Sequence, residues 1–367
     1  MATRQLSWFP RSDFEPTVAL SSSAWRSALH ALAAARRRGR ADDAAPGIHV
    51  SARDNVAHLT AEVPTCRVSV AVPGTVTGSL ATVIPWSIVD DLPTGPVVLR
   101  PTRLQSGDAV RTWRADAVTD VSQRFDPPVP GVVDTLDAAP LRRHLQALLA
   151  ATARLEDRPI LTGILIEPLQ HRAIATDGQW LVRVPWAGSL LSPPYVLSGD
   201  GLRRLLRVLG PNPRGPATWQ LTESAVWMAH GPTRVAVARL TGRFPDSDRL
   251  FPEHYPVTAT APGDALASAL IDAERTVRPT RDTVIQVTWD AEGLLIETDR
   301  GFRRLVAGAT TPATRPAVSA RFSSEVLVRL ARTLDPGPVV WSYPEPEVPV
   351  LITQGAQECL VLPLRAL

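Results

Sequence analysis

Apolar and polar positions along this chain follow two rhythms, and each change of rhythm marks an element. Recurrence at three- and four-residue spacing predicts a helix, and single alternation predicts a half-buried strand. Helical spacing covers residues 22–36, where Trp25, Leu29 and Leu32 share a face behind a Ser22 or Ser23 cap, and residues 138–154, where Leu141, Leu145 and Leu148 form a stripe. It returns at 197–209 with Leu202, Leu205, Leu206 and Leu209, then at 263–275 and at 323–334. A shorter helix is expected over 84–93, stopped by Pro93. Alternation predicts strands before, between and after these helices, including 161–167, 173–176, 180–185, 284–289, 339–342 and 358–363.

The order helix, strands, helix, strands thus recurs three times. Three domains follow, 14–130, 131–253 and 254–367, with a flexible extension over residues 1–13. Asp126-Pro127-Pro128-Val129-Pro130-Gly131 reads as the first linker.

Composition agrees with many short elements: 367 residues carry 35 Pro and 22 Gly, and 44% of positions are hydrophobic. The formal charge is only +3, yet every basic residue apart from His is Arg, which presents a planar fork to phosphate or carboxylate. A GC-rich coding sequence accounts for the same bias. Two cysteines, Cys66 and Cys359, are too few for a disulfide framework and are expected as buried, reduced thiols. No secretory pattern and no run of about 18 apolar residues is present, so a cytoplasmic protein without membrane contact is expected.

No catalytic or metal constellation is visible, and no cofactor is expected. The seven His are scattered, with no pair at the spacing of a His-Glu-x-x-His site. Asp177-Gly178 between alternating strands reads as a hairpin turn, and Ser198-Gly199-Asp200-Gly201 as a helix start lacking the phosphate-loop Lys.

Five stretches together resemble one family: Arg158-Pro159-Ile160-Leu161-Thr162-Gly163, Ala175-Thr176-Asp177-Gly178, Gly242-Arg243-Phe244-Pro245-Asp246, Pro349-Val350-Leu351-Ile352 and the tail Leu362-Pro363-Leu364-Arg365. Their order and spacing resemble the bacterial DNA polymerase III beta subunit, the sliding clamp, from about Glu15 to Leu367. The resemblance implies an α+β fold of three repeated clamp domains, each with two helices packed on antiparallel sheets, and a head-to-tail ring when dimeric. It also implies sequence-independent binding of duplex DNA, loading by a clamp loader, and tethering of DNA polymerases and repair proteins that carry a short motif with a Gln and apolar anchors.

Carried over by position, the partner-peptide pocket is Leu161, Thr176, Gly178, Gln179, Trp180, Leu181, Pro245, Arg249, Leu250, Val350, Leu362, Pro363, Leu364 and Arg365. The family's usual His-Arg after Ala-Thr-Asp-Gly is here Gln179-Trp180, and Trp180 is expected to narrow the groove or stack on the ligand. DNA candidates are the Arg near helix ends: Arg36, Arg37, Arg38, Arg142, Arg143, Arg203, Arg204, Arg207, Arg275, Arg329 and Arg332. Solvated helix faces are the competing account. The region matching the dimer contact, Thr276, Val277, Arg300, Arg303 and Arg304, is basic where the family is acidic, and Asp116 and Asp120 are expected to answer it with reversed polarity. Two functional readings stay open: a ring-forming clamp, and a clamp paralogue that binds peptides without encircling DNA. An enzyme on this fold is the third and weakest.

Overall fold

The computed structural model describes residues 15–36, 47–89, 95–114, 125, 133–154, 158–188, 192–276, 283–311, 317–343 and 348–364. Contacts divide the chain into two compact units, residues 1–127 with 228–236, and residues 128–227 with 237–367.

In the first unit, Thr17–Leu20 is the second strand of a five-stranded antiparallel sheet ordered Thr75–Thr77, Thr17–Leu20, Val97–Arg100, Arg103–Ser106, Ala109–Thr112. Helix α1 (Ser22–Leu32) is capped by Ser21, not by the serines after it; the Ser21 hydroxyl accepts from the Ala24 amide at 3.3 Å. The helix tightens into a 3-10 turn at Ala33–Ala35, and it buries Trp25, Ala28 and Leu32. A meander of Gly47–Arg53, Val56–Val63 and Cys66–Pro73 alternates buried and open positions as its sequence predicts. The helix expected over 84–93 is mostly strand at its start. Leu80–Pro85 pairs with Gly47–Arg53, leaving α2 (Trp86–Val89) as one turn.

The second unit carries most of what the sequence pattern assigns to its second and third repeats, while residues 228–236 fall with the first unit. Helix α3 (Ala138–Ala151) starts where Asp137 accepts from the Ala139 amide at 3.1 Å, and it ends three residues earlier than its periodicity suggests, at an extended Thr152. Helix α4 (Gly199–Leu209) is capped by Ser198, whose hydroxyl accepts from Gly201 at 3.3 Å. The strand Tyr195–Ser198 takes the first residues that helical spacing had claimed. Helices α5 (Gly263–Thr276) and α6 (Ser324–Ala331) pack on one another, and α6 also meets α3.

One long antiparallel sheet joins these two repeats. Eight of its sixteen strands run in the order Val257–Pro262, Pro338–Tyr343, Val350–Gln354, Gln357–Val361, Trp180–Pro185, Arg172–Thr176, Gly163–Glu167, Tyr195–Ser198. The seam is the pairing of Trp180 with Val361, Leu181 with Leu360, Val182 with Cys359 and Arg183 with Glu358. Cys359 is buried there, and burial pushes its thiol up to about 12; Cys66 is buried as well. A second sheet of four strands, ordered Arg303–Leu305, Gly293–Thr298, Val284–Asp290, Val318–Ser323, faces the third repeat's aromatic core. There Trp289 lies 5.5 Å from both Trp341 and Tyr343, and Phe322 lies 6.1 Å from Trp341.

Candidate functional site

Successive residues of a strand point to opposite faces of its sheet, so the seam divides its side chains between two environments. On one face, Leu161, Leu165, Ile174, Leu181, Val196, Phe244 and Leu360 form a single apolar cluster, with Ile160, Leu240, Phe251 and Leu351 packed against it. The cluster draws on both repeats, since Leu351 and Leu360 come from the third and the others from the second. Beside it the chain leaves large apolar side chains open: Leu250 is 48% exposed, Leu362 45% and Leu364 38%. Leu362 extends the seam by donating its amide to the Gln179 carbonyl at 3.1 Å, and Leu364 donates to the Arg321 carbonyl at 2.7 Å. Pro245 and Arg249 are also exposed, with Arg249 held 3.2 Å from Asp246, whereas Val350 is fully buried. Arg365 lies outside the described residues.

The turn at residues 176–180 is built from its own side chains. Thr176 donates its hydroxyl to the Trp180 carbonyl at 2.7 Å and accepts from the Gly178 amide at 3.1 Å. Asp177 Oδ1 accepts from the Gln179 and Trp180 amides at 3.0 and 3.3 Å. Gly178 sits at φ +90°, a conformation that favours glycine. Gln179 is exposed at this rim.

Trp180 corrects an expectation. Its side chain is not open at the rim: it is 2% exposed on the face opposite Leu181, under the guanidinium of Arg329 at 5.5 Å from the ring centroid. The strand Trp180–Pro185 is buried on both faces, so alternation alone could not say which way the indole points.

A charged network borders the open leucines. Arg172 donates to Glu167 at 2.6 Å and to both carboxylate oxygens of Asp248 at 2.7 and 2.9 Å. Arg183 bonds Glu358 across the seam, reaches Asp248 at 3.4 Å and lies 3.9 Å over the Phe251 ring. Asp248 opens the turn Asp248–Leu250, so these bonds fix the turn that carries Leu250. The hydrogen bonds from Arg172 hold the Asp248 carboxyl below its usual value of 3.8, and the network raises the Arg172 guanidinium. A depressed carboxylate contributes stability that is present above 3.8 and lost as pH falls through the lower folded value. Asp248→Asn should therefore cost about 0.2–1 kcal/mol at neutral pH, the range for a partly open pair. Urea denaturation of both proteins should show that gap closing below about pH 4; a gap that widens in acid would refute it.

The DNA candidates separate by burial. Arg204 is 2% exposed and paired with Asp200 at 3.0 Å; Arg329 is 9% exposed and bonded to Asp177 and to the Ala150 and Thr152 carbonyls. Arg142 donates to the Leu206 and Pro211 carbonyls at 3.2 and 3.1 Å, and Arg203 donates to the Thr152 hydroxyl at 2.7 Å. Burial, with Arg154, Arg329 and Arg207 nearby, lowers the Arg203 guanidinium. Arg204 and Arg329 thus belong to the interior, because a side chain so enclosed cannot meet a phosphate. Arg143, Arg207, Arg275 and Arg332 are exposed, three of them beside carboxylates: Arg143 near Asp335 at 3.9 Å, Arg275 at Asp272 and Arg332 at Glu274. Arg36 lies 5.4 Å from the Trp86 ring centroid; Arg37 and Arg38 fall outside the described residues.

Among the dimer candidates, Thr276, Arg300 and Arg303 are exposed. Arg303 reaches Glu297 at 3.4 Å, and Arg304 bonds Asp272 of α5 and Ser268 at 3.3 Å. Asp116, Asp120 and Val277 lie outside the described residues. No helix described here is long and apolar enough to cross a membrane, and no three metal-capable side chains meet among the described residues.

No family model matches this chain, and no curated protein matches it. Solved structures do. The DNA polymerase sliding clamp from Bacillus subtilis aligns with a TM-score of 0.84 over 96% of this chain and 100% of that one, at 18% identity. A DnaN sliding clamp (DNA polymerase III subunit beta) from Bartonella birtlesii, bound to griselimycin, gives 0.82 over 96% and 100% at 20% identity. The DNA polymerase III beta subunit from Thermotoga maritima gives 0.79 over 96% and 100% at 14% identity. Identity this low speaks to architecture, and the architecture of this chain is that of the bacterial DNA polymerase III beta sliding clamps.

Proposed function

We propose that this protein is a DNA sliding clamp, a non-catalytic processivity factor. Its three repeats, 14–130, 131–253 and 254–367, close head to tail with a second copy around duplex DNA after opening by a clamp loader. It then tethers DNA polymerases and repair proteins through the rim of the seam cluster. The observation that carries this reading is the clamp fold across 96% of the chain. The rim supports it, because apolar walls from two repeats beside exposed Leu250, Leu362 and Leu364 suit a short motif with apolar anchors. Exposed Arg143, Arg207, Arg275 and Arg332 offer charge to phosphates without reading bases.

A ring holds DNA by topology, so its retention on nicked circular DNA should survive a salt wash that strips a protein bound through phosphate contacts alone. After linearising that DNA, the protein should slide off. Equal retention on both forms would refute encirclement.

One observation favours the second reading, a peptide-binding paralogue that stays monomeric. Arg303 and Arg304, at the expected dimer contact, already pair with Glu297 and Asp272 of their own chain. Light scattering across a dilution series distinguishes the two: the ring gives twice the 39.6 kDa chain mass throughout, and the paralogue gives the chain mass at every concentration.

A further inference from the structure

We propose that Arg329 is a positioning residue for the docking rim, one that sets partner affinity from the interior without meeting the partner. The inference rests on the docking role proposed for the seam. Arg329 extends from α6, in the third repeat, into the second repeat. Its Nε and Nη2 donate to the Ala150 carbonyl, Nε at 2.7 Å, and Nη2 also donates to the Thr152 carbonyl at 3.0 Å. These carbonyls lie at the C-terminal end of α3, where the helix leaves acceptors without internal partners and where positive charge is favoured. Its Nη1 donates to Asp177 Oδ2 at 2.7 Å.

Asp177 is therefore held from both sides. One oxygen takes the guanidinium, and the other takes the Gln179 and Trp180 amides that close the turn. That closed turn is what lets the Thr176 hydroxyl bridge Gly178 and Trp180, and so fixes the exposed Gly178 and Gln179 at the rim. Trp180 lies between the two layers, its indole beneath the guanidinium and its strand paired with Val361, one residue before the open Leu362. A single side chain thus ties the α3 end, the α6 helix and the rim turn into one body. Lysine could supply the charge but not the planar fork that reaches three acceptor groups at once.

The test compares the full-length protein with Arg329→Lys, Asp177→Asn and the double variant. Each is titrated with a short fluorescein-labelled peptide carrying one glutamine and a pair of large apolar side chains, well below its melting midpoint. Asp177→Asn keeps the acceptor for the turn amides while removing the ionic partner. Each single variant should weaken binding about tenfold, and the double should be no weaker than the worse single, because the two act through one contact. Leu202→Ala, a core truncation in α4, should lower the melting midpoint and leave affinity unchanged, which separates positioning from general loss of stability. Wild-type affinity in either folded single variant would overturn the proposal while leaving the docking reading intact, as would additive effects in the double. No binding by the wild-type protein would overturn both.

Discussion

Arg329→Met should lower the stability of the second unit by about 3–5 kcal/mol, the cost of removing one partner from a buried ion pair. The variant leaves Asp177, whose side chain is 12% exposed, without its cation, and strips donors from the Ala150 and Thr152 carbonyls. The second change separates the pair's value from the cost of breaking it. Asp177→Leu combined with Arg329→Met removes both charges and should recover part of the loss, since an apolar pair of similar volume carries no desolvation penalty. Recovery will be partial because Asp177 also closes the turn through two backbone amides. Urea denaturation followed by far-ultraviolet circular dichroism measures all three proteins. A double variant less stable than Arg329→Met would show that the turn, not the ion pair, is the dominant contribution.

Trp341→Ala should cost about 3–5 kcal/mol, as large aromatic truncations in well-packed cores do. Trp341 is 1% exposed on the long sheet; Trp289 and Phe322 reach it from the four-stranded sheet. It therefore fills the space between two layers, and its loss leaves a void that neither rigid sheet can collapse to fill. Trp341→Phe should cost less than half as much, because a ring remains against Trp289. The same denaturation experiment checks both, and a cost below about 1 kcal/mol for the alanine variant would mean that the sheets do close over the gap.

How much of this was legible in the sequence differs from place to place for physical reasons. Ser198-Gly199-Asp200-Gly201 is visible as a helix start because a cap is a local hydrogen bond, although the first helix is capped by Ser21, one residue before the serines its pattern offers, and Asp177-Gly178 is visible as a turn because positive φ selects glycine within a few residues. The seam is different. Trp180 and Val361 pair across the length of three helices and many strands, and both strands place buried apolar residues on each face, so neither period nor composition assigns a partner or a side. Phe244, Leu165 and Leu360, which join the apolar cluster beside the seam, read in the sequence only as core. Arg329 was misplaced because an Arg in an apolar helix reads as a solvated position. Here α6 is buried almost all round, and the charge finds its partner in another repeat. The bonds from Arg172 and Arg183 to Asp248 likewise carry no local signal, because they join segments distant in sequence.

Cys359 gives the seam a chemical clock. Its thiol is enclosed between Val182 and Ile352, and burial raises it to about 12. A thiol in that state is nearly inert to alkylating reagents while the strands stay paired. Modification of Cys359 therefore times how often the two repeats part along this edge, in the way amide exchange times the opening of a strand. A partner seated across both repeats would slow that reaction without touching the sulfur, so the rate of a single modification would report occupancy of a surface it never contacts.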